Sequence, residues 1–200
     1  MEKSAIIVGA GLVGSLWAVY LSKAGYKVTI YERRSDIRKA EISAGKSINL
    51  ALSVRGWTAL KGAGVDKDVE SIAIPMTGRI MHSEAGEKTY QPYGKEGQAI
   101  YSISRGGLNA KMMDIAEEKG NATIHYNHQC VGANLKDGVV SLKNTITGET
   151  IEAKADVVFA CDGAFSAVRY EAMQKTDRFD FSQDFIDDGY RELLLPANED

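Results

Sequence analysis

An α/β fold with a parallel sheet is predicted by two features of the sequence. The first is a βαβ unit near the N-terminus: a buried strand at residues 4–8, a helix at 12–24 and an alternating strand from Lys27 to Glu32. A helical crossover of this length joins parallel strands. The second is a late apolar strand, VVFA, that ends in Asp162-Gly163 before the chain turns helical. Ligands bind at the carboxyl ends of such strands, so this edge is the predicted site.

The elements that follow are predicted from periodicity and from residues typical of helix ends. Gly25 lies just beyond the first helix, whose apolar residues recur near helical spacing: Leu12, Leu16, Val19 and Tyr20. Residues 33–48 are polar and poorly periodic, which predicts a loop. Ser53 is predicted to cap a helix at 54–62, with Gly64 behind it.

A hairpin and a second long helix are predicted in the middle of the chain. Pro75 predicts a break, and residues 77–90 alternate around a turn at Glu84-Ala85-Gly86-Glu87, which is typical of a hairpin. Residues 106–119 predict an amphipathic helix with these residues on its buried side: Leu108, Met112, Ile115 and Ala116.

Three strand-like runs lie between residues 122 and 160: ATIHYNHQCV, GVVSLKNTI and ETIEAKADVVFA. The last two are joined at Thr147-Gly148, a turn signal. We expect a small antiparallel meander whose last strand returns to the main sheet. His125 and His128 form an H-x-x-H pattern, but residues three apart on a strand point to opposite faces. We therefore expect ordinary strand residues there and predict no metal site.

Composition and charge narrow the classes of protein. The 200 residues are 44% hydrophobic and 26% charged, with a formal net charge of −3, which is ordinary for a globular protein and argues against nucleic-acid binding. No stretch approaches the roughly 18 apolar residues of a membrane span, and the N-terminal apolar run is too short for a signal peptide. We expect no membrane segment in this chain and a cytoplasmic location. Cys130 and Cys161 lie in apolar runs, which favours buried free thiols over a disulfide.

The motif Gly9-Ala10-Gly11-Leu12-Val13-Gly14 is G-x-G-x-x-G between a strand and a helix. Gly9 allows the tight turn, Gly11 lets the backbone approach a diphosphate, and Gly14 lets the helix pack closely on the sheet. The free N–H groups of the helix start attract the anion. Glu32, at the end of the second strand, is predicted to accept a hydrogen bond from a ribose 2′-hydroxyl. The less favoured alternative is a glycine turn that holds no ligand.

This pattern predicts an adenine dinucleotide without specifying which one. The Glu32 carboxylate would repel a 2′-phosphate, which disfavours NADP in this site and leaves NAD and FAD. Arg33 and Arg34 follow, and they either contact the ADP half or belong to a solvated loop.

Several further motifs, in chain order, resemble the kynurenine 3-monooxygenase family of flavoprotein aromatic hydroxylases. They are GKSINLALS at 45–53, Ile74-Pro75-Met76, Tyr93-Gly94, Ser102-Ile103-Ser104-Arg105, Cys161-Asp162-Gly163-Ala164, and Arg178 to Gln183 with Gly189-Tyr190. The resemblance implies a Rossmann-like FAD-binding domain at 1–75 and 99–175, an inserted hairpin at 76–98 that contributes to the substrate site, and the truncated start of a substrate domain at 176–200.

The resemblance also implies roles for individual residues. Contacts to FAD fall on Val13, Tyr31, Glu32, Arg33, Arg34, Ala51, Arg105 and Cys130, the last through its backbone. Arg79 and Tyr93 fall where the family holds the carboxylate of kynurenine, to which a guanidinium fork and a phenol are suited. Asp162 is expected to hydrogen-bond Arg105 or a flavin hydroxyl, directly or through water. Gly163 is expected to let the backbone come close to the cofactor.

The activity implied is hydroxylation of L-kynurenine to 3-hydroxykynurenine with NADPH and O₂, through a flavin C4a-hydroperoxide. The flavin carries the chemistry, so no side chain is predicted as an acid–base catalyst. NADPH is expected as a transient co-substrate, since no second G-x-G-x-x-G is present. The third flavin motif of the family is also missing, so this stretch is expected to be an incomplete N-terminal part that is inactive by itself. Two alternatives stay open: a related flavin hydroxylase of another aromatic compound, and a dinucleotide-binding module without oxygenase chemistry.

Overall fold

The computed structural model describes residues 3–39, 49–175 and 179–189. Three predicted features therefore lie partly or wholly outside the described residues: the end of the loop at 33–48, the first residues of GKSINLALS, and Arg178 and Tyr190 of the last motif. The chain forms two compact units, residues 1–45 with 109–200 and residues 46–108. No helix within the described ranges is long and apolar enough to cross a membrane.

The described residues form both helices and strands, as the predicted α/β class requires. In chain order they are β1 (Lys3–Val8), α1 (Leu12–Lys23), β2 (Tyr26–Tyr31), β3 (Asn49–Leu52), α2 (Val54–Ala63), α3 (Asp66–Glu70), β4 (Ile74–Met76), β5 (Gly78–His82), β6 (Lys88–Pro92), β7 (Ile100–Ser104), α4 (Arg105–Glu118), β8 (Thr123–His125), β9 (His128–Asn134), β10 (Val139–Asn144), β11 (Thr150–Lys154) and β12 (Val157–Ala160), followed by a π-helical turn at Arg169–Met173.

The first unit is built on a parallel sheet with the strand order β12-β1-β2-β8. Alternation along β1 gives the sheet two apolar faces, because successive side chains point to opposite sides. On one face, Ala5 and Ile7 pack with residues of α1 and α4, such as Ala18 and Met113. On the other face, Ile6 and Val8 pack with the antiparallel sheet β11-β10-β9. The predicted βαβ unit and fold class are confirmed.

The region from 122 to 160 contains five strands, where three runs were predicted. The first run is interrupted at Asn127, which has a φ of 58° and separates β8 from β9. The third run is interrupted at Asp156, whose side chain accepts hydrogen bonds from the backbone N–H and hydroxyl of Ser4. As a result β8 and β12 both join the parallel sheet, and only β9, β10 and β11 form the meander. The predicted return of the last strand to the main sheet is confirmed.

The loop after β2 is held by Arg38. Its guanidinium donates to the carboxylates of Asp36, Asp114 and Glu117 at 2.6–2.9 Å and to the hydroxyl of Tyr126 at 2.7 Å. Burial raises the pKa of Tyr126 to about 12, so its neutral hydroxyl accepts from Arg38 and donates to Met113 Sδ. This network ties the loop to α4 and to the segment between β8 and β9.

The second unit contains the antiparallel sheet β3-β7-β4 and the hairpin β5–β6. The hairpin and its turn are confirmed. Pro75 was predicted as a break, but it lies within β4, an edge strand where a missing N–H costs no ladder bond. Ser53 precedes α2 in extended backbone, as predicted, but its side chain makes no capping hydrogen bond. Gly64 ends α2 in the left-handed conformation with a φ of 70°.

Candidate functional site

A cleft of about 200 Å³ opens in the first unit where β1, β2 and β12 reach their carboxyl ends. The start of β9 forms another wall. The lining residues that the sequence predicted for a cofactor are Gly9, Gly11, Tyr31, Glu32, Arg33, Arg34, Cys130, Asp162 and Gly163. Val8, His128, Gln129, Cys161, Phe165 and Ala167 also line it. The cleft therefore lies at the edge of the sheet where α/β folds bind ligands.

The three glycines of the motif occupy three different environments. Gly9 has a φ of +98°, and a side chain there would lie 2.6 Å from the carbonyl oxygen of Cys161. A Cβ on Gly14 would lie 2.0 Å from the carbonyl oxygen of Gly9, so only glycine lets α1 start this close to the loop. At Gly11, by contrast, nothing lies within 4 Å of the position that a Cβ would take, which leaves open space at the start of α1. That space is where a diphosphate would approach the backbone.

Glu32 is the buried acid of the cleft, with 3% of its surface exposed. Its carboxylate accepts hydrogen bonds from the backbone N–H groups of Ala10 at 2.9 Å and Arg34 at 3.0 Å, and from Arg34 Nε at 3.0 Å. A carboxylate offers about four acceptor positions, so one remains for a hydroxyl donor. The geometry suits a ribose hydroxyl next to the glycine loop.

The segment between β8 and β9 is paired to the end of β2 through its backbone. The N–H of Glu32 donates to the carbonyl of His125, and those of His128 and Asn127 donate to the carbonyls of Glu32 and Arg34, at 2.8–3.1 Å. These bonds fix the backbone of Arg34, whose side chain is 58% exposed and paired with Glu32. Whether Arg33 and Arg34 contact the ADP half stays a prediction.

The expectation that His125 and His128 point to opposite faces is wrong. Their ring centroids lie 6.0 Å apart, and both rings contact Tyr31, at 5.1 and 5.9 Å. The alternation rule fails because Asn127 interrupts the strand between them. His128 Nδ1 lies 2.6 Å from the carbonyl oxygen of Tyr126, so Nδ1 carries the proton in the neutral ring and Nε2 is the acceptor. His128 is a cleft residue that the sequence reasoning missed.

Both cysteines line the cleft as free thiols. Cys130 is buried, as expected, whereas Cys161 is half-buried. Burial raises the pKa of each thiol, and the nearby Asp162 charge adds to the increase. Both are therefore protonated and weakly nucleophilic, which indicates packing and backbone roles rather than thiol chemistry.

Asp162 acts as a cap for the helical segment that follows. Its Oδ1 accepts from Ser166 Oγ at 2.6 Å, and its Oδ2 accepts from the N–H groups of Ala167 and Val168 at 2.7 and 3.4 Å. Ser166 Oγ accepts in turn from the N–H of Arg169. Sequence reasoning missed this role, although a serine at a helix start, such as Ser166, is a recognisable capping residue. The predicted bond from Asp162 to Arg105 or to a flavin hydroxyl stays a prediction.

Replacing Asp162 with alanine is expected to loosen this segment, because the first N–H groups of the helix lose their acceptor. Hydrogen bonds to a charged group contribute about 1.5–3 kcal/mol, so local opening should become easier by that order. Hydrogen exchange at the Ala167 and Val168 amides measures the change. Asp137→Ala, which removes a carboxylate from an exposed turn at Asn134, is the matched control. Unchanged exchange in Asp162→Ala would contradict the capping role.

The remaining predicted site residues lie outside this cleft. Val13 and Gly14 are on the first turn of α1, and Val13 is 69% exposed. Ala51 is on β3, Arg105 begins α4, and Arg79 and Tyr93 belong to the hairpin region; all four are in the second unit. Whether these residues contact a ligand stays a prediction.

Comparison with known proteins gives one matching family and many relatives. Residues 2–185 match the family described as FAD binding domain. A protein named kynurenine 3-monooxygenase from Christiangramia forsetii is 47% identical over 199 residues, covering 100% of this chain and 44% of that protein. The protein of the same name from Flavobacterium johnsoniae is 49% identical over 194 residues, covering 97% of this chain and 43% of that protein. That from Sus scrofa is 43% identical, covering 96% and 41%. The chain thus spans less than half the length of these relatives.

Solved structures share the fold at lower identity. The tetrameric form of 2-methyl-3-hydroxypyridine-5-carboxylic acid oxygenase superposes with a TM-score of 0.66 at 24% identity, covering 84% of this chain and 42% of that one. The flavin-dependent monooxygenase PieE, solved with FAD and substrate, superposes with a TM-score of 0.70 at 18% identity. The superposition covers 86% of this chain and 32% of that one. At these identities the similarity shows the fold alone.

Proposed function

Because this chain belongs to the FAD-binding domain family, we propose that it is the FAD-binding part of an enzyme that hydroxylates L-kynurenine to 3-hydroxykynurenine with NADPH and O₂. The observation that carries this proposal is identity of 40–49% with kynurenine 3-monooxygenases from bacteria, insects and a mammal. The identity extends over 95% or more of the chain in each case.

The cleft of the first unit fits the ADP half of FAD. Gly11 leaves room for a diphosphate against the start of α1, and Glu32 keeps an acceptor for a ribose hydroxyl. Tyr31 and His128 add aromatic rings to the same cleft, which suits the adenosine portion. The backbone at Cys130 and the loop at Gly163, whose φ is +85°, complete the proposed cradle.

The hairpin fits the amino-acid end of the substrate. Arg79 is paired across the hairpin with Gln91, and the N–H of Tyr93 extends the ladder by donating to the carbonyl of Thr77. Paired residues share a face, so Arg79 and Gln91 lie together on one face of the hairpin. A guanidinium fork binds a carboxylate bidentately, and the phenol of Tyr93, directly after β6, is proposed as a further donor.

When bound, FAD supplies the reaction with molecular oxygen, and NADPH reduces it. The chain's own residues bind and orient: the cleft holds the ADP half, and Arg79 with Tyr93 hold the substrate carboxylate. Cys130 and Cys161 are both protonated, so neither presents a reactive thiolate to the cofactor. No side chain is assigned a proton-transfer step, because the aromatic amine of kynurenine itself activates the ring position that is hydroxylated.

The test is the absorption spectrum and NADPH oxidation of the full-length FAD-loaded protein. We expect a bound flavin spectrum, and NADPH oxidation that is stimulated by L-kynurenine and yields 3-hydroxykynurenine. Residues 1–200 expressed alone should show no kynurenine-dependent oxidation. Bound NAD in place of FAD would favour a dinucleotide-binding module, and stimulation only by another aromatic compound would favour a related hydroxylase. Either result would overturn the proposal.

A further inference from the structure

The two faces of the hairpin β5–β6 carry different residues. The pairing of Arg79 with Gln91 puts both side chains on one face, together with Met81 and Thr89. Ile80 is paired with Tyr90, so these two apolar side chains share the opposite face. Both faces are exposed. The face that carries Arg79 and Gln91 is therefore the one that presents the guanidinium to a ligand.

Gln91 holds the Arg79 guanidinium in one orientation. Arg79 Nε donates to Gln91 Oε1 at 2.7 Å. In the part of the chain that the structure describes, the two terminal Nη groups of Arg79 donate to no other residue. A guanidinium can grip a carboxylate through Nε and one Nη, or through both Nη groups. With Nε already donating to Gln91, only the end-on grip through both Nη groups is left.

From this contact we infer that Gln91 is a positioning residue for the substrate carboxylate, an inference that rests on the proposed function. Gln91 does not touch the carboxylate. It acts through Arg79, whose long side chain would otherwise lose rotamer freedom when the substrate binds. The Gln91 amide thus determines the direction in which the Arg79 guanidinium points and part of its affinity for the carboxylate. The ligand that this fork favours is one with a free carboxylate.

Full-length FAD-loaded variants test the inference by steady-state kinetics with two substrates. One is L-kynurenine, and the other is its analogue without the carboxylate. Gln91→Met keeps the length of the side chain and removes the acceptor. We expect a rise of roughly threefold to tenfold in KM for kynurenine, because the exposed bond from the Arg79 cation to the Gln91 amide acts on the carboxylate only indirectly, with kcat within twofold. The KM for the analogue should be the same in Gln91→Met as in the parent enzyme. Thr89→Val, on the same face and strand, is the matched control and should leave both substrates unaffected.

The double variant separates the possible failures. Arg79→Ala should raise KM for kynurenine by roughly tenfold to 100-fold, the size of a charge-assisted bond, and adding Gln91→Met should then change nothing further. Additive effects, or an equal effect on the analogue, would overturn the role of Gln91 while leaving the carboxylate site intact. If Arg79→Ala leaves KM unchanged, the proposed substrate site itself is wrong.

Discussion

Replacing Arg38 with methionine is expected to destabilise the first unit by about 3 kcal/mol or more. Arg38 donates to three carboxylates, and its pair with Asp36 is largely out of solvent, with side-chain exposures of 22% for Arg38 and 8% for Asp36. Methionine keeps an unbranched apolar side chain of similar reach, so the packing of the stem is retained and the charge is lost. Asp36 would then be a buried carboxylate without its cation. Urea unfolding of the variant and the parent chain measures the difference.

The control for Arg38→Met is Lys67→Met. Lys67 pairs with Glu70 at 2.8 Å, but the two side chains are 81% and 58% exposed. An exposed pair of this kind contributes little, because water and salt screen it. We expect the unfolding midpoint of Lys67→Met to match that of the parent chain. Equal effects of the two substitutions would mean that the Arg38 network is not a main source of stability.

The effect of Arg38→Met should depend on pH with a defined sign. The hydrogen bond from Arg38 holds the pKa of Asp36 below its usual range. A carboxyl whose folded-state pKa is depressed stabilises the fold above its unfolded-state pKa of about 3.9, and this contribution is lost as the pH falls through the folded-state value. The difference between the parent chain and Arg38→Met should therefore be constant at neutral pH and narrow below about pH 4. A difference that widens in acid would contradict the assignment to Asp36.

The Arg38 network also illustrates what the sequence could not predict. Arg38 lies in a loop that is polar throughout, and its partners Asp114, Glu117 and Tyr126 are more than 70 residues away along the chain. Local periodicity predicted α4 correctly, because its apolar residues recur within one continuous segment. It carried no information on which acids of α4 would meet the loop.

The difference between local periodicity and contacts distant in sequence also explains the region between β8 and β9. The run ATIHYNHQCV is strand-like at every position, so composition predicts one strand. The interruption at Asn127 is determined by backbone pairing with Glu32 and Arg34, about 90 residues earlier in the chain. His128 therefore reached the cleft by a contact that alternation along one strand could not reveal. The glycine loop and Glu32, by contrast, were predictable, since the βαβ unit brings them together within 24 residues of sequence from Gly9 to Glu32.

Gly11 and Gly14 are expected to respond differently when each is replaced by alanine. Gly11 has extended backbone with a φ of −72°, and nothing lies within 4 Å of a Cβ placed there, so Gly11→Ala should leave the stability of the cofactor-free protein unchanged. The methyl group would nevertheless occupy the space proposed for the diphosphate. We expect the dissociation constant for FAD to rise by about 100-fold, equal to about 2.7 kcal/mol of binding free energy. Quenching of flavin fluorescence during titration measures it.

Gly14→Ala should lower both stability and FAD affinity, because its Cβ would lie 2.0 Å from the carbonyl oxygen of Gly9. A backbone carbonyl cannot rotate away as a flexible side chain does, so α1 must shift, at a cost of about 1–3 kcal/mol. Gly189→Ala has open space and an ordinary backbone, and should change neither property. Tight FAD binding by Gly11→Ala would contradict the cofactor role of the loop, whereas unchanged stability of Gly14→Ala would contradict its packing role. The two variants distinguish a loop that packs and also binds FAD from a loop that only packs. If the loop only packed, Gly14→Ala would be unstable, but Gly11→Ala would bind FAD with normal affinity.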